Sequence, residues 1–525
     1  MIQKIVTLWP ELTVLCGACV CLALGLSGRA ALRRLVSAVA AVALVLAGTI
    51  AWSNLQSGDA TATWTWNLPG YIKLAVTGIG VLLVLLMAPM PELPDAARRH
   101  TTGTSESASP SQSSPHGEFN ALLLFSLVGA MLCAGADDLV WLFLALELTS
   151  LPTYVLVCAD RRHGEAAEAG VKYFFLGAVA TATFLYGFTL IYGATGSTEF
   201  DAIRAAVAGQ RITDGAATPL LVTGIVLAIL GLCYKIAAVP MHFYAADVYQ
   251  GAATPVTAVL AFVPKTAGFV ALMAMLGLLH WQLPQSVTWM LWIIAAATMT
   301  VGNVLGLLQS NVKRVLAYSS IAHSGYMMVG LLAGVAADST PLGNGAAAVL
   351  FYLVTYGLAT VAAFGALSCI CRRNGDEAQQ FDDIAGLAKH QPILAAILLV
   401  AVLSLLGFPL TAGFLGKIYL FGSAVKHQFI WLLVIAVLNS AVSAVYYLRI
   451  AAACYFAEPT GTVMATRRPA SRLAAAVAAA AAVVLFIAGS SLVDAARQAA
   501  PVRPDEPGIV DVNEDRGVKT FFVQE

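Results

Sequence analysis

The chain has 525 residues, of which 59% are hydrophobic and only 11% are charged, and its 29 basic side chains balance 29 acidic ones. Soluble proteins carry about 25% charged residues, so this composition excludes a soluble globular protein and predicts a polytopic membrane protein. The balanced charge argues against a nucleic-acid partner, and the lipid bilayer is the expected surrounding.

Apolar runs between polar breaks predict about fourteen membrane spans, because a hydrocarbon core requires roughly 20 apolar residues per helix. The predicted fold class is therefore an all-α polytopic membrane protein. In chain order the spans are 9–26, 31–52, 71–90, 118–135, 138–158, 170–193, 218–239, 253–279, 286–308, 312–334, 343–370, 391–424, 428–456 and 471–494.

These spans group into four predicted segments. The first is a three-helix segment that ends in a Ser-rich loop at 95–117, and the last is a helix followed by a polar tail from Asp494. Two units of five helices lie between them. The segment boundaries are 1–117, 118–279, 280–456 and 457–525.

The distribution of Lys and Arg predicts the orientation, since cytoplasmic loops carry an excess of both. One side of the membrane has few basic loop residues, namely Arg204, Arg211 and Lys426. The richer side is therefore cytoplasmic, and both termini are exoplasmic in a bacterial inner membrane. Its basic residues are Arg29, Arg33, Arg34, Arg98, Arg99, Arg161, Arg162, Lys313, Arg314, Arg372, Arg373, Lys389, Arg467, Arg468 and Arg472.

Two spans contain a helix break next to a lysine. Span seven reads "LCYKIAAVPMHFY", with Lys235 before Pro240, and span twelve reads "LSLLGFPLTAGFLGKIYLF", with Gly407 and Pro409 before Lys417. Irregular backbone at membrane depth is tolerated only where protein or a water-filled cavity covers it. Two broken helices five spans apart predict two five-helix repeats. Because five is odd, the repeats are inverted, as in many transporters.

Four ionisable residues lie deep within separate predicted spans: Glu147, Lys235, Lys265 and Lys417. A charged side chain at the centre of a bilayer costs about 2.5–3.5 kcal/mol on insertion scales. One interpretation is structural, with lysines that snorkel to headgroups or pair with the acid. The other is a proton path, because burial favours a neutral lysine whereas a nearby carboxylate favours a charged one. A Lys235–Glu147 pair that opens and closes would release and hold a proton.

Three further residues are secondary candidates for proton relay. Lys172 begins a span, where snorkelling is as good an explanation as function. His242 follows a proline and is expected at the mouth of a broken helix. His323 lies among serines within a span, where a packing role is an equal alternative. Lys313 and Arg314 are typical of positive-inside anchors.

Several stretches between about 118 and 425 resemble the antiporter-like membrane subunits of bacterial NADH–quinone oxidoreductase, respiratory complex I. Within that family, "YGATGSTEF" and a lysine in span twelve are similar to the subunit N group. The Ser-rich loop and the tail after Asp494 do not belong to the pattern. The matching stretches are "EFNALLLFSLVGAMLCAGADDLVWLFLALELTSLPTYVL", "EAGVKYFFLGAVATATFLYGFTLIYGATGSTEF", "YKIAAVPMHFYAADVYQGAATPVTAVLAFVPKTAGF", "NVKRVLAYSSIAHSGYM" and "GFPLTAGFLGKIYLF".

The resemblance implies a fold of fourteen helices with inverted repeats and a function in proton translocation. It implies that Glu147 modulates Lys235, that Lys265 is the central relay and that Lys417 is the outer proton gate. The chain would be a non-redox subunit of the enzyme. It would bind no cofactor itself, and NADH, FMN, iron–sulfur clusters and quinone would belong to partner subunits. Sister antiporter-like subunits and small membrane subunits are the expected partners.

Two other functions remain open from the sequence. The same fold serves as a subunit of multisubunit cation/proton antiporters or of related membrane-bound hydrogenase-type complexes, without this electron-transfer chain. A structural scaffold is the third possibility, although Lys265 has no obvious carboxylate partner in the sequence.

Overall fold

A computed structural model provides the structure of the protein. It describes residues 7–27, 29–56, 67–88, 116–159, 164–209, 219–335, 343–372, 377–459, 463–465 and 468–500. The Ser-rich loop at 95–115 and the tail beyond residue 500 lie outside these residues, as do several of the arginines used to predict orientation.

Eleven helices in the described part of the chain are long and apolar enough to cross a membrane. Three shorter apolar helices accompany them, at Trp9–Gly25, Pro219–Lys235 and Pro392–Leu406. The all-α membrane fold is therefore confirmed. The count of fourteen crossings and the inverted relation of the two five-helix units stay predictions.

The described part of the N-terminal segment contains four helices and a buried ion pair. Lys73 Nζ lies 2.8 Å from Glu11 Oε1 and donates a hydrogen bond of 2.6 Å to the Thr7 carbonyl. Both charged side chains are almost wholly buried, so the pair ties the first helix to the fourth. The helices are α1 (Trp9–Gly25), α2 (Ala30–Arg34), α3 (Val36–Gln56) and α4 (Asn67–Leu86).

The next helices cover the first predicted unit. Asp138 caps one of them, because its side chain accepts a hydrogen bond of 2.6 Å from the Trp141 N–H. Such caps satisfy one of the free N–H groups at a helix start. The helices are α5 (His116–Ala134), α6 (Leu139–Cys158), α7 (Gly164–Thr195), α8 (Phe200–Gly209), α9 (Pro219–Lys235), α10 (Ala245–Gly251) and α11 (Thr254–Leu278).

The second predicted unit begins with two helices that pack closely. Asn311 and Asn344 cap two of its helices by accepting hydrogen bonds from the N–H groups of Arg314 and Ala347. The elements are α12 (Gln285–Leu307), α13 (Val312–Ala333), α14 (Gly345–Ser368), β1 (Ile370–Arg372), a 3-10 turn at Phe381–Asp383, α15 (Leu387–His390), α16 (Pro392–Leu406), α17 (Ala412–Lys426) and α18 (Ile430–Tyr455).

The chain then forms β2 (Val463–Ala465), α19 (Pro469–Ile487) and α20 (Gly489–Ala499). Strands β1 and β2 pair antiparallel, with Cys371 opposite Met464, and add a two-stranded ladder to the helical fold. Helix α20 includes the first residues of the predicted polar tail. Its Val493, Ala496 and Ala499 are buried, because the helix packs against α14 and α4.

Both predicted breaks are real ends of helices, and both have the same local geometry. After Lys235 the N–H of Ala238 bonds to the Cys233 carbonyl, and Ala237 has a positive φ of 54°. After Leu406 the N–H of Phe408 bonds to the Leu403 carbonyl. These are the hydrogen bonds of Schellman caps, which end helices with a left-handed residue.

The left-handed residue of the second cap is Gly407, with φ of 80°. A Cβ at this position would lie 2.8 Å from Lys417 Cδ, so glycine is required both for the turn and for the lysine beside it. Pro409 lies two residues after the left-handed Gly407, and Pro240 lies three residues after the left-handed Ala237. The prolines therefore stop the helices from resuming, whereas the caps end them.

Helices α11, α13 and α14 form the centre of the molecule, and nearly all of their residues are buried. They carry Lys265, His323 and several tyrosines into the interior. The arrangement places the polar candidates where surrounding helices exclude lipid.

Candidate functional site

The first buried pair joins α6 to the end of α9. Lys235 Nζ lies 3.3 Å from Glu147 Oε1 and donates a shorter hydrogen bond of 2.6 Å to Ser150 Oγ. Thr181 Oγ1 also donates to the same Glu147 oxygen, at 2.8 Å. The lysine side chain is 3% exposed and the glutamate 18%. Lys235 therefore has two alternative acceptors within reach, and Glu147 keeps a second donor when the lysine moves away.

Lys265 on α11 has a wholly neutral set of partners. Its Nζ donates to the Ser320 carbonyl and to Ser324 Oγ, the latter at 2.6 Å, and lies 5.4 Å from the centre of the Tyr356 ring. No carboxylate lies within ion-pair distance among the described residues. An ammonium here is stabilised only by dipoles and by the aromatic ring.

Ser324 connects this lysine to the first break. Its hydroxyl accepts from Lys265 and donates a hydrogen bond of 2.5 Å to the carbonyl of Ile236, the residue after Lys235. The close approach depends on Gly268, because a Cβ there would lie 2.7 Å from Ile236 Cγ2. The broken helix and the central lysine therefore share one hydroxyl group.

His323, one turn from Ser319 and Ser320, lies between two phenols. Its Nδ1 is 2.8 Å from the Tyr352 hydroxyl and its Nε2 is 2.9 Å from the Tyr447 hydroxyl. Tyr447 in turn is hydrogen-bonded to Ser319. A neutral imidazole has one donor and one acceptor nitrogen, and a phenol can act as either. This row of hydrogen-bonded side chains can therefore reverse the direction of its hydrogen bonds when the histidine changes tautomer.

Further tyrosines extend the network around Ser320. The Ser320 hydroxyl accepts a hydrogen bond of 2.8 Å from Tyr356 and is 3.1 Å from the Tyr249 hydroxyl. Both tyrosines are buried, and neither was among the candidate residues predicted from the sequence. Tyrosine in an apolar helix is common, so spacing alone does not indicate that hydroxyl groups from α10, α13 and α14 converge.

Lys417 lies in the second half of its broken helix, but its ammonium returns to the end of the first half. Nζ donates at 2.7 Å to the Leu406 carbonyl and at 2.9 Å to Ser440 Oγ, and it lies 4.9 Å from the centre of the Tyr326 ring. The carboxyl end of a helix carries a partial negative charge that favours a cation. Lys235, the last residue of α9, also lies at such an end.

The secondary candidate Lys172 belongs to a different cluster. Its Nζ is 2.9 Å from Asp247 Oδ2, and Arg314 Nη1 is 2.7 Å from the other oxygen. Arg314 also donates to Gln250, at 3.0 Å. Asp247, which the sequence analysis did not identify, thus holds the short helix α10 between α7 and α13.

His242 lies within the first break, where its ring is 4.6 Å from that of Phe243. Its side chain is buried, whereas Phe243 is 73% exposed. In the part of the chain that the structure describes, no hydrogen bond joins His242 to Lys235, Lys265 or Lys417. The structure therefore does not bring His242 into the network of Lys235, Lys265 and His323.

Lys313 is wholly buried, so its interpretation as an anchor at the membrane surface is wrong. Its Nζ donates at 2.6 Å to the Ala252 carbonyl and lies 3.1 Å from Glu377 Oε2. The Glu377 carboxylate also accepts hydrogen bonds from the N–H and the hydroxyl of Thr254. A loop distant in sequence folds over the helix start and removes the lysine from solvent. We call Lys313, Glu377 and Thr254 the latch.

The latch carboxylate is ionised at neutral pH. Burial opposes ionisation of Glu377, but the Lys313 ammonium and the hydrogen bonds from Thr254 outweigh it, so its pKa lies below the ordinary 4.5. Its contribution to stability is therefore complete above about pH 4.5 and is lost as the pH falls through the lowered value.

Replacing Glu377 with glutamine is expected to destabilise the protein by about 1.5–3 kcal/mol, because hydrogen bonds to a charged group are lost beside a buried lysine. Thermal melting of the detergent-solubilised protein should show a lower melting temperature for the variant than for the wild type at neutral pH. The two melting temperatures should converge below about pH 4.5. The exposed Glu165→Gln is the matched control and should melt like the wild type. A difference that stays constant into acid would show that the Glu377 charge does not stabilise the latch.

The described residues contain no group of three or more His, Cys, Asp or Glu side chains placed to hold a metal ion. The site is a set of buried amines and hydroxyls with one carboxylate and one imidazole. Groups of these kinds can donate and accept protons.

Comparison with protein families gives one match that covers more than half of the chain. A family described as NADH:quinone oxidoreductase/Mrp antiporter, transmembrane, matches residues 136–443. The match includes every candidate named above, from Glu147 to Lys417.

Two bacterial relatives share extensive sequence identity. NADH-quinone oxidoreductase subunit N of Trichlorobacter lovleyi is 44% identical over 343 residues, which cover 65% of this chain and 68% of the relative. NADH-quinone oxidoreductase subunit N 2 of Rhizobium meliloti is 39% identical over 462 residues, which cover 86% of this chain and 88% of the relative.

Solved structures have the same fold. A chain of respiratory complex I from Thermus thermophilus is 31% identical, with a TM-score of 0.71 over 93% of this chain and 99% of that one. A chain of the Mrp complex from Dietzia is 17% identical with a TM-score of 0.74 over 95% of this chain and 97% of that one, a likeness of fold alone.

Proposed function

The chain belongs to the NADH:quinone oxidoreductase/Mrp antiporter family, in its subunit N group, and we propose that it translocates protons within a NADH–quinone oxidoreductase. In this proposal it is a non-redox subunit of that enzyme. Electron transfer from NADH to quinone drives proton movement through its buried acid and lysines. It is a multi-pass membrane protein.

The observation that carries the proposal is that Lys265 is buried with only neutral partners among the described residues and shares Ser324 with the first helix break. A buried charge without a partner of opposite sign is costly. A side chain that serves only to hold helices together would gain more from an ion pair, as Lys73 has with Glu11. A lysine that alternates between charged and neutral forms requires surroundings that tolerate both.

The first unit supplies the switch in this mechanism. When Lys235 is near Glu147, the carboxylate favours its charged form, and when it turns to Ser150 alone, the neutral form gains. The two acceptors are close enough for a rotamer change to exchange them. Movement of the break also moves the Ile236 carbonyl, which changes the hydrogen bonding of Ser324 and hence the environment of Lys265.

The second unit supplies the relay. His323 and its two phenols can pass a proton by reversing their hydrogen bonds, with Tyr352 on one side and Tyr447 on the other. Lys417 is the outer group, held at the carboxyl end of α16. We propose the order Glu147, Lys235, Lys265, His323 and Lys417, with Lys172 and His242 outside it.

The redox chemistry belongs to partner subunits in this proposal. NADH, FMN, iron–sulfur clusters and quinone would bind there, and sister antiporter-like subunits with small membrane subunits would surround this chain. The fold alone also fits a subunit of a cation/proton antiporter, because the Mrp chain has a similar structure. Identity to subunit N relatives favours the first function.

Purification of the chain with its natural companions tests the proposal directly. The expected result is a complex that oxidises NADH, reduces quinone and acidifies or alkalinises proteoliposomes in step with turnover. A companion set that lacks redox subunits and exchanges Na⁺ for protons would establish the antiporter function instead.

The orientation is also a proposal, based on the asymmetry of Lys and Arg. Both termini are expected on the exoplasmic face of a bacterial inner membrane. Protease added to intact spheroplasts should remove a tag fused after Glu525, and a cytoplasmic marker protein should stay uncut. A protected tag would overturn this topology.

A further inference from the structure

An open apolar groove lies on the surface of the N-terminal segment, along α3 and beside Thr13 of α1. It has a volume of about 370 Å³ and is lined by Thr13, Leu35, Ala38, Val39, Val42, Ala43 and Leu46. The lining is almost purely hydrocarbon, because the Thr13 hydroxyl bonds to the Trp9 carbonyl at 2.8 Å. The groove has no connection to the network of buried lysines.

Small side chains create the groove. Gly17 of α1 packs so closely against α3 that a Cβ on it would lie 2.5 Å from the Ala43 Cβ. The short side chain of Ala38 lies between the larger Leu35, Val39 and Val42 on the same face of the helix. Leu35, Val42 and Leu46 form its walls and are each about half exposed, at 51%, 56% and 50%.

The dimensions of the groove match one hydrocarbon chain. Leu35 and Leu46 mark its two ends along α3, and at about 1.5 Å per residue they are roughly 16 Å apart. This is the length of an extended acyl chain and half the thickness of a hydrocarbon core of about 30 Å.

Three arginines lie at one end of the groove. Arg33 and Arg34 directly precede Leu35, and Arg29 begins the same short helical turn. None of their guanidinium groups has an ion-pair partner among the described residues. The sequence offers no local acid either, because no Asp or Glu occurs between Glu11 and Asp59.

We propose that the groove binds one acyl chain of an anionic phospholipid, with its phosphodiester headgroup held by Arg29, Arg33 and Arg34. Arginine forms bidentate hydrogen bonds with phosphate, which suits this headgroup. Basic clusters at the cytoplasmic ends of membrane helices attract anionic lipids, by about fivefold for each arginine. The headgroup selects the lipid, and the groove orders its chain.

The test uses the chain purified with its natural companions and placed in phosphatidylcholine vesicles. A trace of phosphatidylglycerol with a photoreactive group in the middle of its acyl chain serves as the probe. After irradiation, mass spectrometry is expected to find labelled residues between 35 and 46. An excess of unlabelled phosphatidylglycerol should suppress the label, and an equal excess of phosphatidylcholine should not.

Two variants separate the headgroup from the acyl chain. Replacing all three arginines with glutamine is expected to reduce labelling by more than about tenfold. Val42→Trp fills the groove with the arginines intact and should reduce labelling equally, so a folding defect in one variant does not decide the outcome. Labelling near Leu438, an apolar position on α18 that is 62% exposed, is the control and should not change.

Three results would overturn the proposal. Labelling that is indifferent to the headgroup, or unchanged in the arginine variant, would show that only bulk lipid touches the groove. Absence of label between 35 and 46, with normal label near Leu438, would show that another subunit covers this face.

Discussion

Replacing Lys235 with methionine is expected to lower NADH-driven quinone reduction and proton pumping together, by at least about tenfold, in a complex that still assembles. Methionine keeps an unbranched side chain of similar length and removes the buried charge. The hydrogen bonds to Ser150 and Glu147 are lost, but Glu147 keeps its bond from Thr181. Both rates fall because electron transfer and proton movement are coupled. Proteoliposomes with a pH-sensitive dye give both measurements on one sample.

Glu147→Gln should impair the same two rates less than Lys235→Met. The amide oxygen can still accept from Lys235 and Thr181, so the geometry is kept while the negative charge is removed. Lys235 then remains able to carry a proton, although its charged form is less favoured. The comparison therefore separates the group that carries the proton from the group that adjusts it.

Lys73→Met is the matched control, because Lys73 is also a buried lysine but lies outside the network. Its ion pair with Glu11 is structural, and breaking such a pair costs about 3–5 kcal/mol. We expect the Lys73→Met variant to yield less assembled complex, and we expect each complex that does assemble to pump at the normal rate. If Lys235→Met also reduced assembly but left the pumping of each assembled complex normal, Lys235 would serve only to hold helices together, and the proposed switch would be wrong.

The sequence could indicate which residues are unusual but not what they contact. Lysines within apolar runs, and breaks rich in Gly and Pro, are visible as departures from a membrane helix. The sequence predicts breaks at Pro240 and at Gly407 and Pro409, and the helices end close by, at Lys235 and Leu406. The partners of Lys235 come from α6, 85 and 88 residues away. Periodicity carries no information about such contacts.

Tyrosines are the largest part of the site that the sequence did not reveal. Tyr352 and Tyr447 are 29 and 124 residues from the histidine that they contact. Each tyrosine lies in an apolar helix, where tyrosine is common. Their hydroxyl groups both reach His323 because α13, α14 and α18 pack together. Ser324 is the same kind of case, because its importance depends on the Ile236 carbonyl that a break sets free.

Lys313 shows how a general rule can mislead for a single residue. Its position at the start of a span is typical of an anchor, and the rule that predicts orientation counts it among the basic residues of the side predicted to be cytoplasmic. The partner that buries it, Glu377, lies 64 residues further along in a loop. Whether a lysine at a helix end contacts lipid headgroups or protein thus depends on whether a loop folds over it.

Lys265 gives the sharpest distinction between a relay and a fixed charge, because arginine keeps the charge but does not release its proton. We expect Lys265→Arg and Lys265→Met to lose pumping equally, by at least about tenfold for each assembled complex. Only the methionine variant would be impaired if the positive charge alone mattered. Normalising to assembled complex removes any effect of the larger guanidinium group on folding, and dye quenching in proteoliposomes gives the rate.

Lys73→Arg is the control for this substitution, since the Glu11 carboxylate requires only a cation beside it. It should retain pumping, which shows that a buried lysine of this chain can be replaced by arginine. Normal pumping by Lys265→Arg would contradict the relay, because no proton could then pass through the side chain at that position. Loss in Lys265→Arg with retention in Lys73→Arg is the result expected if Lys265 must become neutral during each cycle. The neutral partners Ser320 and Ser324 are what such a cycle requires, because they accept hydrogen bonds from the charged form without holding it permanently.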